Sequence, residues 1–313
     1  MANTYSQESD FRQERDFGQK ISATFEFIGV HFRPLGRVLL YIALPAALVR
    51  AVLAGLLQSR LLTTVQTASN TAGGSVWRRQ NALYSSMFSS PTYYLNMVVS
   101  QVFITLIILS VYGYLLHCLT APAGPRREIT VADVWAVVKR EFVGTFFSLW
   151  GLGFIVVLGF VVFFLPGMYL SVALGLFFVV RLVEGTDFGA TVSRCLFLTR
   201  GKWWSTFGVL FIMVLLLYVL LAAAGSVATL LAGGLTAVVQ SVRSPLFVIT
   251  VTAITTLLTL LAYPPILLVL AFQYFNLVER KESRGLHALV NQLGQAPAAA
   301  VPHAYRPDEE GEY

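Results

Sequence analysis

Apolar residues in this chain come in runs longer than a soluble helix or strand needs. From Val38 to Leu57 twenty residues are interrupted only by Pro45 and Arg50, and a helix of that length reaches about 30 Å, one hydrocarbon thickness. Leu95–Leu119 is a second run, carrying Asn96, Ser100, Gln101, Thr105 and Ser110 but no formal charge unless His117 is protonated. Phe142–Val180 contains 39 residues without a charge. As one straight helix it would measure about 58 Å, so it must fold back on itself. Pro166-Gly167 is the expected turn, because that dipeptide breaks helices, and it divides the run into spans at about 143–165 and 166–183. Spans five and six follow at about 206–232 and 246–276. Pro264-Pro265 is expected to kink the sixth, since neither ring nitrogen donates a hydrogen bond.

A similar unit precedes spans one, three and five. Phe17, Ile21, Phe25, Ile28 and Phe32 fall at steps of three and four, one face of an amphipathic helix. Val131, Val134, Trp135, Val138 and Phe142 repeat the pattern, and Phe188, Val192 and Cys195 form a looser third copy. Asp187-Phe188-Gly189 also echoes Asp16-Phe17-Gly18. The reading is an all-α polytopic membrane protein: six transmembrane helices arranged as three hairpins, each preceded by a short amphipathic interfacial helix. Such internal repeats occur in membrane proteins of many kinds, so they speak for an architecture more than for an activity. Residues 1–15 are expected to be a flexible N-terminus and 16–282 the six-span domain. Residues 283–313 are expected to hold a short amphipathic segment (Leu286, Leu289, Val290, Leu293) and a disordered tail. Loop 58–94 is the one long external loop, with a Gly/Ser/Thr/Asn centre over 66–75.

Composition agrees: 56% of residues are hydrophobic and 12% charged, against about a quarter charged in an ordinary soluble domain. The net charge of +6 does not make this a nucleic-acid-binding domain, because the apolar runs are too long and unbroken. Of the 22 basic residues, 17 fall in the N-terminal, even-loop and C-terminal segments and only Arg60, Arg78, Arg79 and Arg243 on the other side. Basic residues near span ends are retained in the cytoplasm, so both termini are expected there. All 16 carboxylates fall on that same side. The charged first 36 residues lack a signal-peptide apolar core, so no processing is expected.

Arg50 is the most informative single residue, because a guanidinium near mid-span costs about 2.5–3.5 kcal/mol on insertion scales. No carboxylate lies between Glu26 and Glu128. Arg50 is therefore expected either to snorkel to the outer headgroups, the favoured reading, or to meet an anionic lipid or solute. Thr252, Thr255, Thr256, Thr259 and Tyr263 place a hydroxyl stripe on one face of span six. It could line a polar path, but such hydroxyls more often bond back to their own helix or across to a neighbour. Small residues at every fourth position, including Ala43, Ala47, Ala51 and Gly55 in span one, predict close helix packing.

The sequence contains no HExxH, no GxSxG and no paired intramembrane carboxylates. The two cysteines and four histidines are scattered, so neither a disulfide framework nor a metal site is indicated. No cofactor is expected.

The stretch Leu165-Pro166-Gly167-Met168-Tyr169-Leu170, with Val183-Glu184-Gly185, Ala190, Arg194 and Leu198-Thr199-Arg200-Gly201-Lys202-Trp203-Trp204, resembles a bacterial six-helix family. That family includes the membrane domain attached to some glycerophosphodiester phosphodiesterases and many stand-alone relatives. The resemblance covers roughly 16–282 and is strongest across 165–208. In the two-domain relatives the catalytic residues sit in a separate soluble barrel, so no catalytic residue is carried over. The resemblance implies a bacterial inner-membrane protein of unassigned activity. The leading expectation is a non-enzymatic scaffold or modulator of a membrane partner, embedded in the lipid bilayer and in contact with another membrane protein or a second copy. The alternative is a transporter or lipid-handling protein that uses Arg50 and the span-six stripe.

Overall fold

The computed structural model describes residues 8–70, 76–120, 129–231 and 245–283. These residues form helices and no strand: α1 (Glu8–Phe11), α2 (Phe17–Ile42), α3 (Leu44–Asn70), α4 (Val76–Phe88), α5 (Pro91–Thr120), α6 (Val131–Val162), α7 (Phe164–Ala173), a 3-10 turn (Leu174–Leu176), α8 (Phe177–Glu184), α9 (Phe188–Thr199), α10 (Trp203–Leu231) and α11 (Pro245–Glu282). Six segments are long and apolar enough to cross a bilayer: Leu44–Leu61, Pro91–Thr120, Val131–Val162, Phe164–Glu184, Trp203–Ala223 and Thr250–Glu282. The chain is an all-α integral membrane protein. The centre of the outer loop (71–75), the end of span five beyond Leu231, and the C-terminal segment and tail (284–313) lie outside the described residues.

Local chemistry explains most boundaries. The Asp-Phe-Gly echo marks helix N-caps: Asp16 (φ −69°, ψ 168°) opens α2 and Asp187 (φ −69°, ψ 171°) opens α9 in nearly the same extended conformation. Thr130 caps α6 and closes a reciprocal box with Asp133. Each of the three amphipathic stretches therefore starts at a helix N-terminus, closed by a capping box at Asp16 and Thr130 but not at Asp187, and their continuations differ. The second runs on unbroken as α6, whereas the third ends at Thr199 as its own short helix. In α2 the backbone leaves helical geometry at His31 (φ −104°, ψ 16°), one turn before Pro34. The chain then breaks at Ala43, so residues 38–42 belong to α2 and the first apolar segment begins at Leu44, with Pro45 in the first turn of α3, where no backbone donor is needed.

The fold-back of the 39-residue run falls at Phe163, three residues before the expected Pro166-Gly167. Phe163 is extended (φ −167°, ψ 153°) between α6 and α7. Pro166 is tolerated in the first turn of α7, and Gly167 serves a different purpose. A Cβ there would stand 2.4 Å from Phe160, and one on Gly159 would stand 3.0 Å from the Gly167 backbone. The two glycines let the arms approach at the hairpin tip. Further along, Arg181 donates to the Gly144 carbonyl (3.0 Å), which fixes the arms as antiparallel.

Packing runs α3 to α5 to α6 to α7 to α10 to α11 and closes from α11 back onto α3. Within this ring burial is uneven. On α5 every residue from Ile107 to Leu115 is buried, and on α11 nearly every residue from Pro264 to Glu279 is. These segments share one apolar core with α1, α2, α8 and α9. By contrast α3, α6, α10 and the first half of α11 leave large apolar side chains outside, among them Val49, Phe154, Val161, Tyr218 and Leu261, as lipid-facing surfaces do. The face of α2 read from the sequence as apolar is also outward, with Phe32 66% exposed. The buried face is the adjacent one, one residue round the helix (Lys20, Ala23, Thr24, Phe27 and His31), with Ile21 and Ile28 half-buried between the two.

Candidate functional site

The structure brings Arg50 and the span-six stripe together. Arg50 lies between α3, α5 and α11: its Nε donates to Ser100 Oγ (3.2 Å), one terminal nitrogen donates to Thr256 Oγ1 (3.5 Å), and its guanidinium lies 5.2 Å from the Phe103 ring centre. The side chain is thus held among three helices. Thr256, Thr255 and Thr259 each donate to a carbonyl of their own helix, at 2.8, 3.0 and 2.7 Å, while Thr252 donates to Gln58 Oε1 on α3 (3.1 Å). Tyr263 packs half-buried against the core. Arg50, through the hydroxyls of Ser100 and Thr256, and Gln58, through Thr252, therefore link α3 to α5 and α11, whereas Thr255 and Thr259 bond only within α11.

A second polar constellation, not singled out from the sequence, lies around the C-terminal half of α11. Glu184, at the end of α8, accepts from Arg194 Nε at 3.1 and 3.0 Å, from another Arg194 nitrogen at 3.0 Å and from the Tyr274 hydroxyl at 2.9 Å. Arg194 also pairs with Glu282. One guanidinium thus joins α8, α9 and α11, and the two carboxylates beside it raise its already high pKa. Gly185, left-handed at φ 65°, ends α8 and starts the turn into α9. Cys195, buried beside Glu184, has its thiol pushed up to about 12, chiefly by burial, so it is held as a neutral thiol, not a nucleophile.

The same end ties down the N-terminal segment. Asn276 Oδ1 accepts from the Arg15 backbone N–H (2.9 Å) and from Arg280 Nε (3.4 Å), and Arg15 stacks 5.1 Å from the Phe272 ring centre. Gln273, fully buried, donates to Thr206 Oγ1 on α10 (2.9 Å). Lys20, also buried, reaches Ser205 Oγ at 3.5 Å. Burial first, then the positive charge of Arg280, lower its pKa to about 8; Asp16 opposes them, and Lys202 adds a smaller lowering effect.

A third feature is an apolar groove of about 560 Å³ lined by Leu165, Pro166, Met168, Tyr169, Trp203 and Trp204. Trp203 Nε1 donates to the Tyr169 carbonyl (3.2 Å), so the elbow before α10 docks on the first turns of α7. Gly201, at φ 80°, makes that elbow. Among the described residues no cluster of three or more His, Cys, Asp or Glu side chains is placed to hold a metal ion.

The Glu184–Arg194–Glu282 cluster is not legible in the sequence because its two carboxylates end helices and its cation sits on a short helix between two spans, where charges read as loop charges. For the neighbouring contacts to Thr206 and Arg15 a signal was available: Gln273, Asn276 and Arg280 recur at steps of three and four at the end of an apolar run. No protein-family model, curated protein or solved structure matches this chain.

Proposed function

We propose that this integral membrane protein is a non-enzymatic scaffold or modulator of a membrane partner. The observation that supports this reading is how its polar side chains are used. Arg50, the span-six threonines, Glu184, Arg194, Tyr274 and Gln273 all hydrogen-bond within or between helices, which favours a rigid bundle that presents an apolar exterior. Kinship with the membrane domains of glycerophosphodiester phosphodiesterases, residence in a bacterial inner membrane and cytoplasmic termini belong to the same proposal. The orientation draws on the 17-to-4 bias of basic residues.

Photo-crosslinking in native membranes tests the role. A photoreactive residue at Tyr169 or Trp204, on the groove, should capture one recurring membrane protein, and the same probe at Tyr218 on α10 should not. Lipid adducts alone at all three positions would overturn it. Impermeant thiol labelling tests the orientation, with Cys118 and Cys195 removed: Ser75→Cys should label in intact cells and Ser283→Cys should not.

A second reading, handling of an anionic lipid or solute at Arg50, is favoured by one observation. The guanidinium is held by two neutral hydroxyls and a ring, which leaves its charge to be balanced by something anionic. Selective loss of one anionic lipid from purified Arg50→Leu, relative to wild type, would promote this reading over the first.

A further inference from the structure

Lys20 is a buried cation with no ion-pair partner among the described residues. Its side chain is buried between α2 and α10, yet its one hydrogen bond is a long 3.5 Å contact to the neutral Ser205 hydroxyl. A buried ammonium ordinarily has a carboxylate partner, because desolvation without one is costly. None lies within ion-pair distance of Lys20 among the described residues. Asp16, one turn away, caps α2 and exchanges its backbone donor with Gln19. Glu14 is directed at Arg280, at 3.8 Å, and is itself largely exposed.

The surroundings add to the imbalance. Arg280 and Lys202, both exposed at the edge of this junction, are near enough for their charges to act on the Lys20 ammonium. Lys20 thus lies inside the junction of α2, α10 and α11, where Lys202 stands one turn before Ser205 and Arg280 one turn after Asn276; of the nearby carboxylates, Glu14 pairs with Arg280 and Asp16 caps α2, and neither is bonded to the buried ammonium. Like charges gather in this way where an anion completes the site. The junction also adjoins Trp203 and Trp204, the aromatic pair that begins α10, and such residues favour headgroup depth.

We propose that the junction of α2, α10 and α11 binds a phosphate group, with the Lys20 ammonium at its floor and Lys202 and Arg280 at its rim. An ammonium floor acts as a point charge toward phosphate oxygens, and the Arg280 fork adds directional donors. The Ser205 hydroxyl supplies a further donor. The phosphate belongs to a lipid headgroup or to a soluble anion, and the two sources separate experimentally.

The test is thermal unfolding of the full chain in neutral detergent, with phosphatidylglycerol, phosphatidylcholine or inorganic phosphate added. Phosphatidylglycerol should raise the unfolding temperature more than phosphatidylcholine does, since binding to the folded state stabilises it. Lys20→Met should still fold, because it removes an uncompensated charge and keeps the buried stem, and its apparent affinity should fall about tenfold or more. Arg280→Gln, at an exposed position, should weaken binding in the same direction, and Lys139→Gln, elsewhere on the surface, should bind like wild type. An equal rise with inorganic phosphate, lost in the same two variants, would support the site and identify a soluble ligand. No rise with either anionic probe, or an undiminished one in Lys20→Met, would overturn the proposal.

Discussion

The two halves of α11 are both predominantly apolar but have opposite surroundings. From Thr250 to Tyr263 the helix keeps Val251, Ile254 and Leu261 exposed, and its threonines mostly turn back onto their own carbonyls. From Pro264 to Glu279 it is enclosed on almost every side, and its polar groups reach outward: Gln273 to α10, Tyr274 to α8, Asn276 to the N-terminal segment. A helix facing lipid must satisfy its polar atoms internally, because hydrocarbon offers no partner. A helix packed in protein can use the same atoms to fix its neighbours. Average hydropathy does not separate these cases; the direction of the hydrogen bonds does.

Substitutions sharpen the contrast, and the largest effect belongs to the enclosed half. Arg194→Met should lower stability by about 3 kcal/mol, because it leaves Glu184 and Glu282 without their shared cation. Denaturant or thermal unfolding in detergent would measure it. Gln273→Leu should cost about 1 kcal/mol, the ordinary loss of one buried hydrogen bond, since Thr206 retains its bond to the Lys202 carbonyl. On α3, against the lipid-facing half of α11, Arg50→Leu should change stability by no more than about 1 kcal/mol. The hydrogen bonds lost to Ser100 and Thr256 are offset by removing a charge that is costly to insert. Smallest of all, Thr255→Val and Thr259→Val should each stay within about 0.5 kcal/mol, because each removes only a bond to its own helix. If the threonine variants proved as damaging as Arg194→Met, the distinction between the halves would fail.

The contrast also explains what was legible in the sequence. Six spans could be counted because run length is a one-dimensional property, and the N-cap echo at Asp16 and Asp187 could be seen because capping is local. The hairpin turn was displaced by three residues because proline is compatible with a first helical turn, so Pro166 marks the start of an arm and not the bend. The buried face of α2 lies one residue round from the apolar stripe, because the stripe's phenylalanines Phe17, Phe25 and Phe32 stay exposed, and Lys20, Thr24 and His31 look polar until α5, α10 and α11 cover them. For Arg50 the sequence identified the residue but not its direction, since Ser100 and Thr256 lie 50 and 206 positions away.

The bond from the Arg15 backbone to Asn276 joins residues 261 positions apart, and it sets a timetable for folding. At the usual synthesis rate of about 5–20 residues per second, the N-terminal segment waits roughly 13–52 s before its partner exists. Until then Phe11 and Phe27 lack the aromatic rings of Phe272 and Phe275 against which they finally pack. The first residues made are among the last to find their place. A chain cut before α11 would therefore leave its opening segment held only by its contacts with α5, such as Phe27 and His31 on Tyr114.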